Sequence, residues 1–127
     1  MKITIEKSKK PSKRDESLYQ RIESEVVPKW GEREEKLENA HVYLTDLTRV
    51  DSAAIYNLGK LENLDKKVIC FYRKLIDNEP REYIPENSKH TILEFQNQSD
   101  LVKQINSELR NYTLNEIKKA VRLYKFL

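Results

Sequence analysis

Four polar side chains stand out by type and position. Asp46 and Thr48 close the apolar run Val42-Tyr43-Leu44, and Tyr56 and Asn57 fall in the segment after it. A carboxylate, a hydroxyl, a phenol and an amide can together hydrogen-bond a polar ligand such as a ribose. Arg73 ends the next apolar run and adds a cation suited to an anionic group. A plainer reading stands beside this one: Asp46 accepts backbone amides within its own turn, and Thr48 caps locally.

The elements that would position these groups follow from hydrophobic patterning. Ile3-Thr4-Ile5 marks a first strand over Lys2 to Glu6. The polar, basic stretch Ser8 to Arg14 reads as a loop, so residues 1–14 form a first strand and basic loop. Leu18, Ile22 and Val26 recur every four residues, which is one face of a helix, and Pro28 stands where that helix must stop. Val26 to Trp30 is either the end of this helix or a short extended piece. Gly31 to Asn39 is charged and helix-prone.

Val42 to Leu44 and Val68 to Tyr72 are near-continuous apolar runs, as in strands buried on both faces. Between them Asp51-Ser52 offers an N-cap, and Ala53, Ala54, Leu58 and Leu61 follow at helical spacing. Residues 73–89 carry Pro80, Pro85 and many charges, a long connection of the kind that forms binding loops or lids. Thr91 to Phe95 is a further strand. Ser99-Asp100 caps a helix with Leu101, Val102, Ile105 and Leu109 on one face, and Thr113 with Glu116 suggests a second capped helix over 113–127. That last helix either packs on the domain or presents Leu114, Ile117, Val121 and Tyr124 to a partner.

Strands alternating with helices predict an α/β three-layer sandwich, flavodoxin- or Rossmann-like, with a mostly parallel sheet of four or five strands. In such a sheet ligands bind at the carboxyl ends of the strands, where Asp46 and Thr48 fall. At 127 residues the chain fits a single domain.

Composition narrows the function classes. The 24 basic and 21 acidic residues nearly balance, at a net +3, which argues against a dedicated nucleic-acid binder. Cys70 is the sole cysteine, so no intrachain disulfide is expected and a reducing cytoplasm is the natural setting. Its place inside Val68-Ile69-Cys70-Phe71 predicts a buried thiol. Lys2, Glu6 and Lys7 interrupt any signal-peptide core, and no apolar stretch approaches a membrane span. Two histidines and one cysteine, widely spaced, predict no metal site. His41, His90 and Trp30 read as structural residues.

Ala40-His41-Val42-Tyr43-Leu44-Thr45-Asp46-Leu47-Thr48 resembles the A-D-x-V-I-A-D-L-T segment of nucleoside 2-deoxyribosyltransferase-like proteins, relatives of the Toll/interleukin-receptor-like NAD hydrolases. Ile55-Tyr56-Asn57-Leu58-Gly59 is similar to their x-Y-E-L-G helix at matching spacing, and Lys66-Lys67-Val68-Ile69 to their G-K-P-V-I. The likeness spans residues 40–111 and is specific over 40–72.

In that family the Glu of Y-E-L-G attacks or stabilises the anomeric carbon while the base leaves. Here Asn57 holds that position, and an amide is a poor nucleophile. The loop after the first strand, Glu6 to Lys13, also lacks the glycine usual in the family's sugar-phosphate loop.

The resemblance with these departures implies a non-catalytic nucleotide- or nucleoside-binding or regulatory protein, without a cofactor. Asp46, Thr48, Tyr56, Asn57 and Arg73 would line the ligand. One alternative is an N-glycosidase or deoxyribosyltransferase acting on nucleosides or NAD, with Asp46 or Asp51 as the carboxylate. Another is an interaction module or inhibitor acting through the last helix. A homo-oligomer or a protein partner is expected under each reading.

Overall fold

The structure is a computed structural model that describes residues 1–75 and 79–125. Five parallel strands form one sheet: β1 (Lys2–Glu6), β2 (Glu32–Arg33), β3 (Val42–Asp46), β4 (Lys67–Arg73) and β5 (Thr91–Phe95), in the order β2-β1-β3-β4-β5. The helices are α1 (Lys13–Glu25), α2 (Val27–Trp30), α3 (Ser52–Leu61) and α4 (Gln98–Lys125), with 3-10 turns at Leu37–Asn39 and Pro80–Tyr83. This is the expected α/β sandwich, with the sheet at five strands and wholly parallel. Among the described residues, no helix is long and apolar enough to cross a membrane.

The chain leaves β1 through α1 toward one sheet edge, and leaves β3 through α3 toward the other. Crossovers of one hand that progress in opposite directions put their helices on opposite faces of the sheet. The side chains sort accordingly. Ile3, Ile5, Val42, Leu44, Ile69 and Phe71 pack with Leu18, Tyr19 and Ile22 of α1 and with Leu101, Ile105 and Leu109 of α4. Tyr43, Val68, Cys70 and Tyr72 pack with Ala54, Leu58 and Leu61 of α3 on the other side. Each strand therefore alternates between two buried faces, which is why its sequence is nearly all apolar.

Several local expectations are corrected. The basic loop ends at Ser12 rather than Arg14, because Ser12 caps α1 in a capping box with Asp15. Gly31 to Asn39 forms no α-helix, and only Leu37–Asn39 turns, as a 3-10 helix. Backbone amides of Glu32 and Glu34 bond to the carbonyls of Met1 and Ile3, so the open edge of β1 captures this segment as a short strand. Gly31 is required there: a Cβ at that position would lie 1.8 Å from the Met1 carbonyl oxygen.

Val27–Trp30 resolves as one helical turn, with Pro28 in its first turn, where a missing amide is harmless. Asn97, rather than Ser99-Asp100, caps the long helix, through its side chain to the Asp100 amide. Thr113 caps nothing, because α4 runs unbroken through it. Asn111, Tyr112 and Thr113 are mediocre helix formers, but without Gly or Pro the helix has no reason to leave its carbonyls open there. In the long 73–89 connection, positions 76–78 lie outside the described residues, as do positions 126–127 of the expected last helix.

Candidate functional site

The strand order reverses at β1, so the carboxyl ends of β1 and β3 flank the topological switch point. β3 delivers Asp46 there. Asp46 shares the parity of Val42 and Leu44 and so faces α1, where its Oδ2 accepts a 2.7 Å bond from the Tyr19 hydroxyl. Its Oδ1 accepts the Thr48 amide at 2.9 Å, the turn that the sequence suggested. The Tyr19 hydroxyl also accepts the Ser8 amide at 3.0 Å, tying the loop after β1 to the same point.

Burial pushes the Asp46 carboxyl above its usual range, and the bonds from Tyr19 and Thr48 offset part of that rise. Burial beside Asp46 likewise raises the Tyr19 phenol well above the ordinary value, so its hydroxyl stays a donor.

Beside this pair lies a second buried carboxylate, Asp15, which accepts the Ser12 amide at 2.9 Å and pairs with Arg49. Arg73 approaches Asp15 at 4.0 Å and lays its guanidinium 5.2 Å from the centre of the Phe95 ring. The Arg73 amide donates to the Thr48 hydroxyl at 2.9 Å, so Thr48 couples β3 to β4 while also bonding Asp46 within its own turn. Asp46, Thr48 and Arg73 thus meet on the α1 face.

Asn57 is on the other face. Its amide donates at 2.9 Å to Glu6, which ends β1 with the parity of Thr4 and faces α3. Glu6 is half-buried. Burial raises its carboxyl above the usual range, Asn57 draws it back, and Asp51 and Lys9 push in opposite directions. Asp51 is engaged as the N-cap of α3, accepting the Ala54 amide at 2.9 Å, and sits 3.9 Å from Lys9. Tyr56 is 68% exposed, and Lys60 lies over its ring.

The five expected ligand residues therefore divide. Asp46, Thr48 and Arg73 form one network, Asn57 meets Glu6 across the sheet edge, and Tyr56 points to solvent. Four further residues belong to the site: Glu6, Asp15, Tyr19 and Arg49. Two of them left a trace in the sequence. Ser12-Lys13-Arg14-Asp15 has capping-box spacing, and Glu6 alternates with Ile5 at a strand end. Tyr19 and Arg49 left none.

Two clefts open at this edge. One of about 200 Å³ is lined by Thr48, Arg49, Glu79 and Tyr83, and another of about 320 Å³ by Lys7, Ser8 and Tyr19. Among the described residues, no group of three or more His, Cys, Asp and Glu side chains is placed to hold a metal ion. The chain matches no protein-family model, and no curated protein matches it significantly.

Proposed function

We propose that the protein binds the sugar of a nucleoside or nucleotide at the carboxyl edge of β1 and β3, in a binding or regulatory role rather than a catalytic one. The observation that carries this reading is the Glu6–Asn57 pair at the switch point, 2.9 Å apart and half-buried. A carboxylate acceptor beside an amide that can both donate and accept suits vicinal ribose hydroxyls. The loop after β1 borders the same edge, and its Lys9, 3.9 Å from Asp51, would supply a cation for a phosphate. Asn57 holds the position at which the resembling family has its carboxylate, which favours binding without glycosidic chemistry.

The test is thermal unfolding with nucleosides, nucleotides and NAD. A ligand that binds only the native state raises Tm by mass action, worth about 2.7 kcal/mol at a hundredfold excess over Kd. A shift lost in Glu6→Gln supports the reading. No shift at millimolar concentrations with any of them removes it.

A second reading, an N-glycosidase, is favoured by Glu6 itself. Asp46 and Asp51 are occupied by local hydrogen bonds. Glu6 is the half-exposed carboxylate at this edge, and burial has raised its proton affinity as general acid–base chemistry requires. Base released from nucleosides or nicotinamide from NAD, abolished in Glu6→Gln and retained in Asp51→Asn, would establish this reading over the first.

A further inference from the structure

Two helices cover the α1 face of the sheet, but on the other face α3 leaves the side toward β5 to the long connection after β4. Ile84 of that connection is buried in the same core as Leu58 and Leu61. Between the connection and α3 a cleft of about 160 Å³ stays open. Ile55, Leu58, Gly59 and Glu62 line it as one stripe of the helix, and Tyr83 and His90 line it from the other side.

Two local costs meet in this lining. Gly59 lies inside α3, where glycine is a poorer helix former than alanine. The backbone does not call for it: φ is not positive, and a Cβ there would meet no atom within 4 Å. The missing side chain keeps the cleft open. His90 carries the second cost. Its side chain is 1% exposed, and its Nε2 lies 3.1 Å from the Glu62 carboxylate and 3.2 Å from the Leu58 carbonyl. Both partners are acceptors, so Nε2 carries the hydrogen. Nδ1 is buried with no partner among the described residues, an exception in folded proteins. Broken local rules of this kind gather at functional sites.

Glu62 is held in place. The Ser88 hydroxyl donates to its Oε1, and the same hydroxyl accepts the His90 amide at 3.1 Å. Oε1 thus faces both Ser88 and His90, which leaves Oε2 for another donor. Glu62 is the one acid of the lining, and neither Lys nor Arg lines the cleft. Its charge is felt in the core, where burial raises the Cys70 thiol and Glu62 adds to the rise.

We propose that this cleft binds a small organic cation built on a single ring, such as an aryl amine with its ammonium on a short arm. The ring would lie over Gly59 against Ile55 and Leu58, and the ammonium would donate to Glu62. Size selects a single ring, since an apolar cavity of about 150 Å³ takes up benzene. The unmatched carboxylate selects a cation, and the half-exposed Tyr83 ring beside it favours the same charge. The site is independent of the sugar site. Asn57 lies roughly 150° around α3 from the middle of the stripe, on the flank toward β1.

The test is nitrogen-15 NMR of the full chain titrated with benzylamine, benzyl alcohol and benzoate, which are cationic, neutral and anionic probes of one size. Benzylamine is expected to shift the Gly59, Glu62 and His90 amides saturably. A charge-assisted hydrogen bond should make it bind about tenfold or more tightly than benzyl alcohol, with benzoate weaker still. Glu62→Gln keeps an acceptor for Ser88 and His90 and should bring benzylamine down to benzyl alcohol. Gly59→Leu fills the cleft and should abolish binding. Gly59→Ala, which adds one methyl group, should weaken binding while raising Tm.

No saturable shift with benzylamine at millimolar concentration overturns the proposal, as does equal affinity for the three probes. Shifts centred away from the cleft overturn it, and so does a preference for benzylamine that survives Glu62→Gln. Binding undiminished in both Gly59 variants overturns it as well.

Discussion

Removing the Tyr19 hydroxyl tests the charge on the buried α1 face. In Tyr19→Phe the ring still fills its place in the core, but Asp46 loses its 2.7 Å donor and the Ser8 amide loses its acceptor. Asp46 is 5% exposed, so solvent cannot replace the donor fully. A hydrogen bond to a charged group contributes about 1.5–3 kcal/mol, and an unpaired half-buried amide costs on the order of 1 kcal/mol. Urea unfolding near pH 7.5 should therefore show a loss of about 2–4 kcal/mol.

The pH dependence separates these two parts. The Asp46 carboxyl is already raised by burial, and losing Tyr19 raises it further. A carboxyl whose folded-state pKa is raised contributes stability that is present below the unfolded value and is lost as pH rises through the folded value. The extra penalty in the variant is thus greatest where Asp46 is charged, at the high end of the pH range. It shrinks as pH falls through the raised Asp46 range, because a protonated Asp46 no longer needs the phenol as donor. The gap between wild type and variant should close substantially by about pH 4. Asp46→Asn provides the cycle: in that background Tyr19→Phe should cost clearly less at pH 7.5. A gap of equal size at both pH values, together with additive single variants, would refute an ionised Asp46 held by Tyr19.

Three further outcomes are expected. Gly31→Ala places a methyl group against the Met1 carbonyl at 1.8 Å, so β2 must shift or detach; a loss of about 1–3 kcal/mol is expected in thermal unfolding, and an unchanged Tm would contradict the close approach. Ile105→Ala should cost about 2–5 kcal/mol and Val121→Ala less than about 0.5 kcal/mol, with hydrogen exchange fast beyond residue 113 and slow before 109; equal costs would mean that the last half of α4 is packed. Cys70 is fully buried and its thiol is pushed up to about 12, so a thiol-specific reagent at pH 8 should label it only at the global unfolding rate, and fast labelling of the native protein would count against the packed α3 face.

Four of the five strands, the helix that follows β3, the buried thiol and the parallel sheet were legible in the sequence. Each depends on local periodicity or on runs of apolar residues, and these are properties of neighbours along the chain. The segments misread were those whose conformation is decided by something distant. Gly31 to Asn39 has helix-prone composition but is captured by the open edge of β1, and the expected ligand residues were gathered on one side because most of them lie close in sequence.

Asp46 and Asn57 belong to consecutive elements, and sequence alone suggests that they converge. Strand parity turns Asp46 toward α1, however, and the opposite progression of the two crossovers places α3 on the other face. Asn57 consequently meets Glu6, 51 positions away, while Asp46 meets Tyr19, 27 positions away. The sequence by itself determined which groups reach the carboxyl edge of the sheet. Only the tertiary structure decided which of them touch, because that depends on strand order and crossover hand, and neither is written in the spacing of residues along the chain.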